Sequence, residues 1–125
     1  MREILFRAKR LTDRKWTYGD FTEVDGDCPR ILSNENATMY AVAPETIGQY
    51  TGLTDKNGKR IFEGDIVCHD FGEKQIGKQY AIVKWSEKYA SFQLNPIDDW
   101  MFCKLSDVKV VGNIHDNPEL IREEV

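Results

Sequence analysis

No apolar run in this chain approaches the roughly 20 residues needed to span a bilayer. Met1–Arg7, interrupted by charge, lacks the apolar stretch of about 7–15 residues that a secretory signal carries. These shortages predict a cytoplasmic protein with no membrane contact. Cysteine is also scarce: Cys28, Cys68 and Cys103 are odd in number and share no short spacing, which does not make a disulfide framework and predicts reduced thiols. His69 and His115 are the only histidines. A zinc site needs about four ligands, usually with one close pair. Cys68 and His69 are neighbours, and neighbours on a strand face opposite sides. No metal and no cofactor is expected. Neither histidine stands in a recognisable catalytic context with a cysteine, and Gly48–Gly52 and Gly58-Lys59 fit neither a Walker motif nor a dinucleotide fingerprint. The carboxylate groups Glu23-Val24-Asp25, Asp98-Asp99 and Glu123-Glu124 are expected to be solvated charge. The chain is therefore expected not to be an enzyme, and no catalytic residue is assigned. A positive excess is missing too. Lys and Arg number 17 against 21 Asp and Glu, net −4, which argues against a broad phosphate-neutralising surface.

What remains is an ordinary globular composition: 125 residues, 41% hydrophobic and 11% aromatic, enough for one real core. Repeats and low-complexity tracts are absent. Short strands dominate the pattern. Ile4–Ala8 and Lys15–Tyr18 flank the polar tip Thr12-Asp13-Arg14, which predicts a hairpin. Asp25-Gly26-Asp27 and Ser33–Asn36 are turns around a weak strand, Arg30-Ile31-Leu32, and Thr38–Val42 is a stronger one. Pro44–Ile47 predicts one helical turn with proline in its first position. Asp55–Lys59 is a tight turn, with Asn57-Gly58 supplying positive φ. Asp65–Asp70, Gln79–Trp85, Ala90–Leu94 and Val108–Ile114 are further strands, the second and third joined through Glu87-Lys88-Tyr89. Alternation points Ala81, Val83 and Trp85 inward, with Ile66, Val83, Trp85, Phe92, Leu94 and Val110 as the expected core. Asn117 as N-cap and Pro118 at the first helical position predict a short C-terminal helix, docked by Leu120 and Ile121.

The fold class is thus mostly β, a β-rich α+β arrangement of several short antiparallel strands. An SH3-like small barrel is expected in the C-terminal half, ending in the short helix. Residues 1–58 form an N-terminal β subdomain, and 59–125 the barrel and helix.

The stretch from Gln49 to Val67, Gln-Tyr-Thr-Gly-Leu-Thr-Asp-Lys-Asn-Gly-Lys-Arg-Ile-Phe-Glu-Gly-Asp-Ile-Val, is more specific than turn chemistry. It resembles the signature of the YopX-like family of small phage and prophage proteins. Phe6-Arg7-Ala8 resembles that family's opening strand, and Val110–Leu120 its closing strand and helix. The segment around Cys28 to Asn36 matches no part of the pattern. The resemblance implies an SH3-like C-terminal barrel and a phage or prophage origin in a bacterial host. It implies no established activity and no catalytic residues to carry over.

Within that signature the candidate interaction residues are Tyr50, Gly52, Leu53, Asp55, Asn57, Gly58, Gly64 and Asp65. Gly52, Gly58 and Gly64 are spaced as backbone devices at positive φ or close approach, and Asp65 can hold backbone amides where a strand begins. Tyr50-Thr51-Gly52-Leu53 is either a rigid connection or a recognition loop. Many short strands leave edges that must be paired, covered or charged. The expected function is therefore protein contact, as a homo-oligomer with partners unspecified. The alternative is a nucleic-acid-binding small β-barrel, which would use Trp16, Tyr18, Trp85, Phe92 and Trp100 beside Arg7, Lys9, Arg10, Arg14 and Lys15.

Overall fold

The computed structural model describes residues 3–22, 28–69, 80–87, 90–95 and 108–120. The expected turns at Asp25-Gly26-Asp27 and Lys88-Tyr89 lie outside them. So do Glu23, Val24, Asp98, Asp99, Trp100, Cys103, Ile121, Glu123 and Glu124. The chain divides into two compact units, 1–52 and 53–125.

In the first unit β1 (Phe6–Lys9) pairs antiparallel with β2 (Trp16–Thr22), as the polar tip between them predicts. The tip is organised by Asp13, whose carboxylate accepts the Lys15 N–H at 3.0 Å and the Arg10 guanidinium at 3.2 Å. That backbone bond is the largest influence and, with help from both cations, outweighs desolvation and holds the Asp13 carboxyl below its usual range. β3 (Arg30–Ser33) and β4 (Met39–Ala41) continue the sheet, and β5 (Gly48–Thr54) pairs with the other side of β1. Pro44–Thr46 forms one 3-10 turn with proline at its start.

The N–H of Ala43 donates to the Lys9 carbonyl and that of Leu11 to the Ala41 carbonyl, both at 2.9 Å, which draws the ends of β1 and β4 together. Ala8, Ile31 and Val42 are fully buried on one face, with Phe6, Tyr40 and Ile47 packed against them.

In the second unit β6 (Arg60–Phe62) precedes a four-stranded antiparallel sheet. β7 (Asp65–His69), β8 (Tyr80–Ser86), β9 (Ser91–Asn95) and β10 (Val108–Asn113) stand in the order β10-β7-β8-β9. Ile61, Val67, Ala81, Val83, Leu94, Val108 and Val110 make its core, with Phe92 partly covered. Ile66 is buried as well, so β7 is covered on both faces.

No closed barrel is found among the described residues, and β10 carries a register shift between Val110 and Gly112 beside the exposed Val111. Of the expected C-terminal helix the described residues show a 3-10 turn, Pro118–Leu120. Its intended cap is engaged elsewhere, because Asn117 Oδ1 accepts the Asn113 N–H at 3.2 Å. Trp85 is 47% exposed instead of buried. It pairs with Phe92 one step from Ser86 and Ser91, so its ring lies beyond the last layer of core side chains, Val83 and Leu94. No helix among the described residues is long and apolar enough to cross a membrane.

Candidate functional site

The stretch Tyr50–Asp65 is assembled from backbone devices, of which the glycines and the Asp55–Lys59 turn are visible in the sequence pattern. Tyr50-Thr51-Gly52-Leu53 is not a loop but the body of β5. The Tyr50 N–H donates to the Leu5 carbonyl at 2.8 Å, and the side chain is only 7% exposed. Gly52 interrupts the strand's regular conformation at φ 89°, and Leu53 is 46% exposed beyond it. Tyr50 thus lies inside and Leu53 outside.

Asp55 organises the turn that follows. Its Oδ1 accepts the N–H groups of Asn57 and Lys59, each at 2.9 Å, and its Oδ2 accepts the Val110 N–H at 3.0 Å. The side chain belongs to a residue only 5% exposed. Burial is the strongest single influence and pushes the carboxyl up. The hydrogen bonds from Val110, Lys59 and Asn57, with the Lys59 charge, together outweigh it and leave Asp55 below its ordinary value of 3.8. A carboxylate with both oxygens taken by backbone amides is a structural staple.

In the turn itself only Gly58 has positive φ, 83°; Asn57 contributes its N–H and not the second left-handed conformation the Asn-Gly pair suggested. A Cβ built on Gly58 would meet nothing within 4 Å, so conformation and crowding separate cleanly there. Gly58→Ala should lower stability by about 1 kcal/mol through φ alone. Urea unfolding measures it, and an unchanged midpoint would show that the turn relaxes at no cost.

Asp65 repeats the device on a smaller scale, its Oδ2 accepting the Phe62 N–H at 2.8 Å while the residue is buried. Between these two, Gly64 at φ 93° donates its N–H to the Val83 carbonyl and accepts the Ile114 N–H. The glycines at 52, 58 and 64 all have positive φ, as their spacing predicts.

The basic residues that neighbour one another in the N-terminal sequence do not share one surface. Strand register places Arg7 and Lys9 on the same face as Trp16 and Tyr18. There the Arg7 guanidinium lies 4.7 Å and the Lys9 ammonium 5.6 Å from the Trp16 ring centre. Arg10 takes the other face and stacks 3.9 Å from the Tyr40 ring centre. In the second unit Trp85 meets Phe92 edge-on, their ring centres 5.1 Å apart. Its exposure escaped the sequence, because alternation reports which face a residue takes and not where the cover of that face ends.

Cys28 is half-buried, its thiol 3.5 Å from the Val42 carbonyl, and Cys68 sits in β7. Among the described residues no three His, Cys, Asp or Glu side chains gather as metal ligands.

Comparison with known proteins agrees with this architecture. The family described as YopX protein matches residues 5–122. The crystal structure of protein EF1440 from Enterococcus faecalis resembles the chain with a TM-score of 0.67 at 24% identity, covering 98% of this chain and 100% of that one. At that identity the likeness speaks for the fold. No curated protein matches the sequence.

Proposed function

The chain belongs to the YopX family, and from that premise we propose a phage- or prophage-encoded module that works through protein contact rather than catalysis. It assembles as a homo-oligomer in the cytoplasm of the bacterial host. The C-terminal unit is proposed to be SH3-like, a reading supported by its four antiparallel strands and the register shift in β10.

One observation carries the interaction reading. Trp85 is 47% exposed on the strand face where Ala81 and Val83 are completely buried. A large aromatic that a chain leaves half in water beside its own core is the kind of anchor that dominates protein interfaces. The signature residues Tyr50, Asp55 and Asp65 support the reading indirectly, since their buried bonds hold the scaffold and leave the exposed side chains to meet partners.

The test compares Trp85→Ala with the parent chain by sedimentation and by melting. Association should weaken by about tenfold or more, as truncation of an anchor does, while the melting midpoint stays nearly constant. An unchanged assembly, or an early melt with assembly intact, would make Trp85 a packing residue and remove the support.

A nucleic-acid-binding β module is the competing reading, drawing on Arg7, Lys9, Trp16 and Tyr18. Against it, Arg7 is buried and both cations lie over the Trp16 ring, so the chain's own side chains cover that stacking surface. Oligonucleotide binding with a steep salt dependence would favour the competitor.

A further inference from the structure

Asn57-Gly58 carries a chemistry that its own turn holds in check. It is the chain's one Asn-Gly pair. The side-chain amide of an asparagine is open to attack by the backbone nitrogen of the next residue, and glycine, with no Cβ, leaves that nitrogen least shielded. Asn95 and Asn117 precede proline, which has no N–H to give up. Asn34, Asn36 and Asn113 precede residues that carry a Cβ.

Nothing steric bars the reaction at Asn57. Both residues of the pair are exposed, so water reaches them, and a Cβ built on Gly58 would meet nothing within 4 Å. Hydrogen bonding is what opposes it. The nucleophile's own proton is held, because the Gly58 N–H donates to the Asp55 carbonyl at 3.0 Å. On either side, the Asn57 and Lys59 N–H groups donate to Asp55 Oδ1 at 2.9 Å each and fix the flanking backbone. Attack needs the Gly58 proton removed, so the bond to the Asp55 carbonyl must open first.

We propose that Asn57 is a spontaneous deamidation site gated by the Asp55 staple. In the opened turn the Gly58 nitrogen gives its proton to solvent and bonds to Asn57 Cγ. The Cγ–Nδ2 bond breaks, and the nitrogen leaves as ammonia with a proton from water. Water then opens the succinimide at either carbonyl, giving aspartate or isoaspartate at position 57 with no oxidant or reductant. Isoaspartate routes the main chain through Cγ and lengthens it by a methylene between Asp55 and Lys59. A single Oδ1 then no longer reaches both flanking amides. Because the same carboxylate accepts the Val110 N–H at 3.0 Å, modification loosens β10 together with the turn.

The experiment incubates the full chain in warm, mildly alkaline buffer, with and without denaturing urea, and follows position 57 by peptide mass and isoaspartate content. The native parent should react about tenfold or more slowly than the parent in urea. Asp55→Ala should react about tenfold or more faster than the native parent, while the two run alike in urea. Val83→Ala truncates the core in β8 and leaves the staple in place; while folded it should stay within about twofold of the parent. A native parent that reacts at the urea rate would overturn the gate, and so would equal acceleration in Val83→Ala and Asp55→Ala. A further measurement needs no variant: parent aged to partial conversion and separated by charge should yield a modified fraction that melts below the unmodified one. Equal melting of the two fractions would overturn the link from Asn57 to β10.

Discussion

Asp55→Ala should destabilise the C-terminal unit by roughly 3 kcal/mol or more, the largest loss expected from a side chain in the signature. Three backbone N–H groups lose their acceptor together. Asn57 and Lys59 are exposed, so their amides can turn to water at about 0.5–1 kcal/mol each. The Val110 amide cannot, because Val110 is buried in β10, and a buried donor without a partner costs about 1–3 kcal/mol. Asp55→Asn should cost less, about 2 kcal/mol, since its one oxygen still serves part of the set while its NH2 opposes a donor. Urea unfolding measures both, and a loss below about 1 kcal/mol for Asp55→Ala would show that β10 does not depend on the staple.

The same residue makes an acid prediction. Its carboxyl lies lower in the folded than in the unfolded chain. The stability it adds is therefore fully present above the unfolded value and lost as pH falls through the folded one. The gap between parent and Asp55→Asn should hold steady from pH 7 to about 5 and narrow below 3.8.

Gly19→Ala should prevent β2 and β3 from pairing as they do. Gly19 stands opposite Ser33 in the register. A Cβ there would overlap the Leu32 carbonyl oxygen, lie 2.8 Å from its carbon and come within 3.2 Å of the Asn34 nitrogen. All three are backbone atoms, so no rotamer change relieves the clash. Separating the strands exposes the layer of Ile31 and Phe21 and costs about 3 kcal/mol or more, a fall of roughly 12–24 °C in melting midpoint for a unit of this size. A variant melting within a few degrees of the parent would mean that the β2–β3 pair slides freely at this point.

The two predictions differ in how much of their basis the sequence displays. Asp55 stands before Asn57-Gly58, a local turn pattern whose hydrogen bonds to the next few residues follow from short-range chemistry. Its bond to Val110 spans 55 residues, and nothing near Asp55 announces it. Gly19 sits inside an apolar-aromatic strand where glycine would pass for a weak spot; only the approach of β3 shows why a side chain is excluded.

By itself the sequence determined most of the strands and turns, though not β5 and β6, the positive φ at Gly52, Gly58 and Gly64, and the family. These depend on alternation, turn chemistry and residue order within about a dozen positions, which the chain carries locally. Tertiary structure alone decided that Arg7 and Arg10 face opposite ways, that Trp85 outruns its cover, that Asn117 turns back to Asn113, and that the Asp55 turn bonds to Val108 and Val110 of β10. The reason is physical. Side-chain direction is local, whereas burial and partnership depend on which distant strand arrives beside it, and the register of that arrival is settled by the packing of the whole sheet.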